Sequence, residues 1–510
     1  MERPRTRTYG SKRSSRTTAA AAAIFGPTVV PSSTTQRVTI EFSRHPLNDI
    51  TESLSKLHLE GGSGDDREGF NSSYQNGDAI KNGNAAKSAP ARTTSKQETH
   101  QEPHREPTEC DFKDESTKLL RPLLDAYQKD RGYPLHVRSW DDLLPADVKI
   151  EKIAEASYAE VYRLSNEFGT SIIKVMQLKT TANNESAESY TALDVESVVS
   201  EFRIMNAVTE IPGFVEFKDA HLVKGRPPSS ISKAYYDFIT AKAPKSYVSS
   251  FPEPKSFNDE SIFFFIELGD AGVVLDKVLL EDIDIVWDMF LGVVIALSRA
   301  EVLLKFEHRD LHESNICVKG TRHEPPPHPK DPRSRLKYGF SGFEITLLDY
   351  GLSRATLPNN DTVFFDLEKD LEIFRGDSRM HNTLQFETYR RMRTYLFTGT
   401  RTCHPKRWHD DASRELNNGH TWKEFVPYSN VLWIRAILHY LIKTWTGNKD
   451  VLKKFKRDIL ELEHRLHPRV TVEDGAFETA HGVLEFIVEQ GWVTEQQLKG
   501  MDGDSSRLSM

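Results

Sequence analysis

Residues 306–315 have the sequence FEHRDLHESN, and the rest of the chain can be placed by working outward from them. The stretch puts the carboxylate of Asp310 and the carboxamide of Asn315 five positions apart. When two such groups share a loop, they can orient a hydroxyl group and hold a divalent metal beside a chain of phosphates. The stretch therefore indicates phosphoryl-transfer chemistry.

The spacing of this stretch resembles the catalytic loop of protein kinases, whose signature is H-R-D-L-x-x-x-N. All five fixed positions are present, and the apolar residues 316–318 follow them. An isolated HRD is more often an ordinary surface turn, so the prediction depends on the complete pattern. The resemblance implies that Asp310 is the catalytic base and that Asn315 is a metal ligand.

The composition divides the chain into two unlike parts. Of the 510 residues, 38% are hydrophobic and 28% are charged, which indicates that part of the chain is not packed. Residues 1–100 carry 14 Lys and Arg against 10 Asp and Glu, whereas residues 101–510 carry 53 against 65. An acidic folded part would attract cationic polypeptides and repel naked nucleic acid, and a basic arm suits contacts with chromatin or with nuclear import factors.

Cysteine usage and hydropathy indicate in which cell compartment the protein is found. Three scattered cysteines, Cys110, Cys317 and Cys403, are too few for a disulfide framework and predict a reducing environment. The cluster of Cys403, His404 and His409 fits no known zinc spacing, so a polar loop is the favoured interpretation. Nowhere do eighteen apolar residues follow one another. We therefore expect a cytosolic or nuclear protein without a membrane partner.

Residues 1–110 are predicted to be a disordered, basic region with short interaction motifs. The Gly, Ser, Asn and Pro of residues 61–108 cannot bury enough apolar surface to offset the entropy of ordering. Within this region, residues 41–59 space their apolar side chains as an amphipathic helix that could fold onto a partner. Order is expected from Asp111, with a helix that Pro122 kinks or delays.

Residues 149–164 predict two short strands around the sequence AEASYA. In a typical kinase, this place holds the glycine-rich loop over the ATP phosphates. All three glycine positions are alanine here, which allows close backbone approach but makes positive φ costly. The residues predicted to cover the nucleotide are Ala154, Glu155, Ala156, Ser157, Tyr158 and Ala159.

The next strand, residues 171–175, carries Lys174, which we expect to pair with the α and β phosphates. A helix over residues 195–208 should supply the glutamate that holds this lysine. Spacing alone allows both Glu196 and Glu201.

The aromatic strand 262–266 runs into the predicted hinge between the two lobes, where backbone groups would bind adenine. The hinge residues are Glu267, Leu268, Gly269 and Gly272. A long apolar helix, residues 281–305, then leads into the catalytic loop. After it, a strand over residues 344–348 ends in Asp349, Tyr350 and Gly351, which match the kinase D-F-G with tyrosine for phenylalanine. Asp349 should reach the phosphates through magnesium.

The stretches after this motif indicate a particular family among the protein kinases. No Ala-Pro-Glu closes the activation segment, and the chain instead reads FFDLEKDLEIFRGD over 364–377, QFETYRRM over 385–392 and PYSNVLW over 427–433. Together with the D-Y-x-L-S-R run after residue 348, these stretches closely resemble the haspin family of atypical protein kinases. The likeness covers residues from about 111 to the C-terminus, and the alanine-containing loop is similar to fungal members. The family's helix also resembles residues 196–200, which favours Glu196 as the partner of Lys174.

This resemblance implies a serine/threonine kinase of mitosis that phosphorylates the threonine near the start of the histone H3 tail, using ATP and Mg²⁺. It implies activity without activation-loop phosphorylation, location in the nucleus and on chromosomes, and in the cytoplasm outside mitosis. Chromatin-associated proteins would bind the N-terminal region, and no sequence-specific nucleic-acid binding is expected. By position, Asp370 and Glu372 are similar to the family's acidic contacts to the basic substrate. A solvated acidic face is the alternative.

The predicted fold is α+β, a bilobal kinase fold over residues 111–510 with a β-rich lobe to about 268 and a mainly helical lobe from about 269. Two other functions stay open. A pseudokinase scaffold on chromatin is suggested by the missing glycines, although Lys174, Asp310, Asn315 and Asp349 are all retained. A small-molecule phosphotransferase of related fold shares parts of the catalytic loop, although Arg309 is unusual there. A pure binding protein would not explain the site.

Overall fold

A computed structural model describes residues 114–502 of the chain, apart from 145–146, 157, 180–191, 242–248, 250, 322, 377–383 and 411–418. The predicted disorder of residues 1–110 and the helix proposed within 41–59 lie outside these residues. Ser157, one of the predicted nucleotide contacts, lies outside them as well.

The first half of the described chain is built on a six-stranded sheet in the order β1-β5-β6-β4-β3-β2. The outer strand β1 runs parallel to β5, and all other neighbours are antiparallel. The strands are β1 (Val137–Arg138), β2 (Lys149–Glu155), β3 (Glu160–Asn166), β4 (Gly169–Gln177), β5 (Phe217–Lys224) and β6 (Ile262–Gly269). The predicted strand pair over residues 149–164 is therefore confirmed as β2 and β3.

The central strand β6 is apolar without alternation because both of its faces are buried. Phe264 and Ile266 join the large core of the molecule, whereas Phe263 and Phe265 join a second, smaller core on the other face of the sheet. The helices of this half are α1 (Asp114–Arg131), α2 (Trp140–Leu143), α3 (Val195–Val208) and α4 (Ser229–Ala241). Helix α1 contains Pro122 without ending there.

The second half holds two small sheets that frame the catalytic residues. The antiparallel strands β7 (Val273–Val274), β8 (Ile316–Gly320) and β9 (Phe343–Leu347) form one sheet, and β10 (Arg354–Thr356) and β11 (Thr362–Phe364) form a hairpin. Strand β8 begins directly after Asn315, and β9 ends two residues before Asp349. Because β8 and β9 pair, they bring the catalytic loop and the D-Y-G motif side by side.

Helices make up the rest of the second half. They are α5 (Ile283–Leu304), α6 (Glu372–Arg375), α7 (Gln385–Thr398), α8 (Tyr428–Lys443), α9 (Lys449–Asp458), α10 (Leu460–Leu466), α11 (Ala480–Glu489) and α12 (Glu495–Asp502). Short 3₁₀ turns lie at Pro254–Ser256, Leu275–Lys277, Glu313–Asn315, Leu367–Lys369 and Lys406–His409. Helix α5 is buried on most of its surface, as predicted from its apolar sequence.

A close backbone approach joins the first half to the second. After α3, the chain forms a parallel bridge from Phe214 to Leu347, and the Leu347 amide donates to the carbonyl of Gly213 at 2.8 Å. Gly213 has a φ of +95°, and a Cβ there would lie 2.6 Å from that of Ala296 in α5. The two halves share one core, and the predicted α+β class is confirmed. Within the described ranges, no helix is both long and apolar enough to cross a bilayer.

Candidate active site

His308 holds the catalytic loop against the D-Y-G segment. It is fully buried, its Nε2 lies 3.0 Å from the carbonyl of Leu348, and its carbonyl accepts from the Ser353 hydroxyl at 2.8 Å. Its backbone amide donates to the side chain of Asn430 in α8. Burial lowers the pKa of His308 to about 4, so the ring is neutral at physiological pH. The imidazole therefore serves to fix backbone positions.

Arg309 has its charge matched from within the chain. It adopts a φ of +64° and its buried guanidinium pairs with Glu307 at 2.9 Å. It also donates to the carbonyl of Trp422 at 2.8 Å and lies over that indole ring. Glu307 in turn accepts from the amide of Val426 and the hydroxyl of Ser429. The charge of Arg309 is therefore neutralised by a carboxylate two residues earlier in the same loop.

Asp310 and Asn315 are brought together as predicted. The Asn315 side-chain nitrogen donates to the backbone carbonyl of Asp310 at 2.8 Å, which leaves its carboxamide oxygen for a metal. Burial raises the pKa of Asp310 to about 6, although His312 and Tyr389 lower it. This carboxylate is therefore ionised at neutral pH and is a stronger base than an exposed aspartate.

Asp349 faces Lys174 across the site. Its φ is +62°, its Oδ1 lies 3.8 Å from Lys174 Nζ, and it accepts from the amide of Gly351 at 3.3 Å. Burial alone would raise the pKa of Asp349, but Lys174 lowers it below the usual value. Tyr350, next along the chain, is fully buried and donates to the carbonyl of Leu347 at 2.8 Å. The tyrosine thus anchors the strand end that presents the carboxylate.

The partner of Lys174 is Glu201, and the prediction of Glu196 is wrong. Lys174 Nζ donates to Glu201, which is buried, whereas Glu196 is exposed in the first turn of α3. Five residues along an α-helix rotate the side chain by roughly 140°, so the two glutamates cannot share the face that packs on β4. Burial would lower the pKa of Lys174, but Asp349 and Glu201 raise it above its usual value. Lys174 is therefore a permanent cation between two carboxylates.

The hairpin between β2 and β3 lies where the phosphate cover was predicted. Ala156 and Ala159 close it with a backbone hydrogen bond of 2.8 Å, and Tyr158 is 47% exposed at its tip. Ala154 lies beside a register shift between the two strands. Glu155 is buried, accepting from Lys152 at 2.8 Å and from the Ser249 hydroxyl at 2.6 Å. Its side chain thus supports the hairpin from below.

The first three predicted hinge residues form the paired end of β6, and Gly272 follows that strand. The carboxylate of Glu267 accepts from Ser171 at 2.6 Å, and Leu268 is buried. The amide of Gly269 donates to the carbonyl of Glu216 at 2.9 Å. Gly272 has a φ of +90°, and a Cβ there would lie 2.3 Å from the carbonyl of Val318, so glycine is required.

The acidic segment before α6 contains two kinds of carboxylate. Asp366 caps the turn at Leu367–Lys369, and Glu368 pairs with the buried Arg393 at 2.6 Å. Asp370 and Glu372 are exposed, and Asp370 accepts from the amide of Glu372 at 3.0 Å. Glu372 also forms an ion pair with Arg375. Asp370 and Glu372 are nevertheless the most exposed carboxylates of this segment, where a basic substrate could reach them.

A magnesium ion fits the oxygen atoms of the site. Asp349 offers a carboxylate and Asn315 a carboxamide oxygen, which are the hard ligands that Mg²⁺ takes beside phosphates. In the part of the chain that the structure describes, no group of three or more His, Cys, Asp or Glu side chains could hold a metal.

The family model described as "Haspin like kinase domain" matches residues 135–479, which is more than half of the chain and includes every catalytic residue above. The chain belongs to this haspin-like kinase family. The resemblance predicted from residues 364–377, 385–392 and 427–433 is confirmed.

Several haspin kinases are similar to the chain. The serine/threonine-protein kinase haspin of Mus musculus is 26% identical over 309 residues, 58% of this chain and 35% of the mouse protein. The haspin homolog of Drosophila melanogaster is 26% identical over 342 residues, 62% of this chain and 54% of the fly protein. The homolog of Schizosaccharomyces pombe is 24% identical over 321 residues, 58% of this chain and 55% of the yeast protein. The matches thus span between about a third and about half of the length of these relatives.

Two features of this haspin-like site were missed from the sequence. The phenol of Tyr389 donates to the carboxylate of Asp310, although 79 positions separate them. Lys152, Glu155 and Glu160 form a buried charge cluster beneath the phosphate cover. The second feature had a weak signal, because Lys152, Glu155 and Glu160 are opposite charges on two strands that were predicted side by side. The first had none, since only the packing of α7 brings the tyrosine to the loop.

Proposed function

We propose that the chain is a serine/threonine protein kinase that transfers the γ-phosphate of ATP to a threonine near the N-terminus of histone H3. The observation that carries this proposal is Lys174, which lies between Glu201 and Asp349 while Asp310 and Asn315 face the same site. A lysine with two carboxylates and a catalytic aspartate is the set of groups that phosphoryl transfer needs.

Each residue has one task in the reaction. Lys174, held by Glu201, binds the α and β phosphates. Asp349 and Asn315 would hold Mg²⁺, which would neutralise charge on the phosphate chain. Asp310 orients the threonine hydroxyl towards the γ-phosphate and accepts its proton.

The choice of a histone tail follows from family membership and from charge. Asp370 and Glu372 present exposed carboxylates on the segment that precedes and begins α6. A tail rich in lysine and arginine is complementary to them. We also propose, on the ground of family membership, that the protein acts in the nucleus and on chromosomes in mitosis and lies in the cytoplasm at other times. Chromatin-associated proteins would bind through the N-terminal region.

The two alternatives have less support. A scaffold has no need to keep Lys174 paired, and burial raises the pKa of Asp310 towards the working pH of a base. A small-molecule phosphotransferase would not require the two exposed carboxylates, Asp370 and Glu372.

A peptide assay tests the proposal. The full chain is incubated with radiolabelled Mg-ATP and an unmodified H3 tail peptide, beside a peptide in which alanine replaces the first threonine. We expect label in the first peptide alone. Equal label in both peptides contradicts the target. Label in choline or an aminoglycoside, with none in either peptide, supports the small-molecule alternative.

A further inference from the structure

A buried tyrosine contacts the catalytic carboxylate from a distant part of the chain. Tyr389 lies in the second turn of α7 and is 2% exposed. Its phenol donates a hydrogen bond to Oδ1 of Asp310. Among the residues that the structure describes, this is the only side chain that hydrogen-bonds the Asp310 carboxylate. His312, the nearest cation-forming group, stays 3.8 Å from the same oxygen.

The tyrosine is held so that its proton points at Asp310. Gln385, one turn earlier in α7, donates from Nε2 to the phenol oxygen at 3.1 Å. The ring packs edge-on against Trp433 of α8, with centroids 5.4 Å apart. Because the oxygen already accepts from Gln385, its own hydrogen is directed to the carboxylate. Burial raises the pKa of Tyr389 well above its usual value, so the phenol keeps this hydrogen.

Two different contacts then fix Asp310. Asn315 binds its backbone carbonyl, which sets the path of the loop but not the rotation of the carboxyl group. The phenol binds Oδ1, which sets that rotation and leaves Oδ2 for an acceptor hydroxyl. A general base works only when its free oxygen lies within hydrogen-bond reach of the proton that it takes.

We propose that Tyr389 is a positioning residue that orients the Asp310 carboxylate for proton abstraction from the substrate hydroxyl. The proposal rests on the proposed kinase function. It assigns to α7, which lies outside the catalytic loop, a direct part in setting the geometry of the base. Since the contact acts on an oriented base and not on binding, its loss should lower turnover and leave substrate affinity unchanged.

The test is Tyr389→Phe, which removes one oxygen atom and keeps the ring that packs on Trp433. We expect kcat to fall roughly 10-fold or more, as for the loss of a hydrogen bond to a charged group. KM for ATP and for the H3 peptide should stay within about 2-fold, because the phenol is buried and contacts Asp310 and Gln385. Tyr395→Phe is the matched control. Tyr395 lies in the same helix against Tyr428, away from Asp310, and its loss of a hydroxyl should leave kcat unchanged.

A double-mutant cycle separates positioning from general support of the fold. In an Asp310→Asn background, Tyr389→Phe should cause little further loss, because the oriented base is already gone. Equal losses in both backgrounds would overturn the proposal. So would an unchanged kcat in the single variant, or an increase, which would mean that the phenol blocks the base.

Thermal unfolding of each variant shows whether the substitution has disrupted the fold. If Tyr389→Phe does not fold, Gln385→Leu provides the second test, since it frees the phenol to rotate and should lower kcat with unchanged KM. An unchanged kcat in Gln385→Leu would then overturn the proposal. If the wild-type chain transfers no phosphate to any peptide, the proposed function fails, and the proposal fails with it. If wild type is active and Tyr389→Phe equals it, only the proposal fails.

Discussion

The catalytic loop and the hairpin over the phosphate site represent opposite relations between sequence and structure. Residues 306–315 keep every position of the kinase signature, because these side chains perform chemistry, balance a charge or fix the path of the loop. The hairpin between β2 and β3 has lost all three glycines, yet it lies in the same place as a glycine-rich loop would. A hairpin over the phosphates depends on where its backbone lies more than on particular side chains. Contacts elsewhere in the fold can therefore hold that backbone in place.

In this protein, a buried charge cluster supplies it. Lys152 has no exposed side-chain surface and lies 2.8 Å from Glu155 and 2.5 Å from Glu160. Its ammonium group lies over the ring of Tyr235 in α4, 4.4 Å from the centroid. The hairpin is thus fixed to a helix on the outer side of the sheet, and the flexibility of glycine is not required.

The largest effect is expected from Lys152→Met. The substitution keeps an apolar stem among the aromatic rings but leaves two buried carboxylates without their cation. Breaking a buried pair in this way should cost about 3–5 kcal/mol in the free energy of unfolding. Urea unfolding measures it, with Lys149→Met as control, because Lys149 pairs with Glu151 on the surface and should change stability by less than about 0.5 kcal/mol. Equal losses of unfolding free energy in the two variants would show that the buried charge cluster does not stabilise the hairpin.

The second largest effect is expected from Lys174→Ala, which changes the catalytic site itself. Loss of the cation that binds the phosphates should lower kcat about 100-fold to 1,000-fold. Lys179→Ala is the control, since Lys179 pairs with Asp194 at the protein surface. Steady-state kinetics with an H3 peptide provide the measurement. Near wild-type turnover in Lys174→Ala would contradict the assignment of the site.

A third substitution separates the two glutamates of α3. Glu201→Gln should lower kcat about 10-fold or more, because a hydrogen bond between charged groups is lost at Lys174. Glu196→Gln should leave kcat unchanged, since Glu196 is exposed. If Glu196→Gln lowered kcat and Glu201→Gln did not, Glu196 would be the partner of Lys174, as predicted from the sequence.

The smallest effect is expected from restoring glycine to the hairpin. In the triple variant Ala154→Gly, Ala156→Gly and Ala159→Gly, each glycine should cost about 0.5–1 kcal/mol of stability through added chain entropy. If the charge cluster fixes the hairpin, KM for ATP should change less than about 3-fold. A much tighter KM would show that the alanines limit nucleotide binding.

Much of the fold and the site could be predicted from the sequence because motifs lie in a fixed order along the chain. Lys174, Asp310, Asn315 and Asp349 were each placed on the right element, since each is bound to a short local pattern. The choice between Glu196 and Glu201 could not be made reliably, because it depends on which face of α3 packs on the sheet. Tyr389 could not be found at all.

Other functional contacts could not be predicted from the sequence for the same reason. The pairing of Arg309 with Glu307 needs the chain near Trp422 to close over it, more than one hundred residues later. Of the acidic residues around α6, only the structure separates Glu368, which pairs with Arg393, from the exposed Asp370 and Glu372. Long-range packing decides these points, and a local pattern carries no information about it.

The most direct test of the central claim measures nucleotide binding and phosphate transfer in the same preparations. Wild type and Asp310→Asn are each titrated with Mg-ATP and then mixed with an H3 peptide in a single-turnover assay. Both should bind the nucleotide with similar Kd, and Asp310→Asn should transfer phosphate about 100-fold to 10,000-fold more slowly, as for the loss of a general base. Binding without transfer by wild type, or equal transfer by both proteins, would contradict the account.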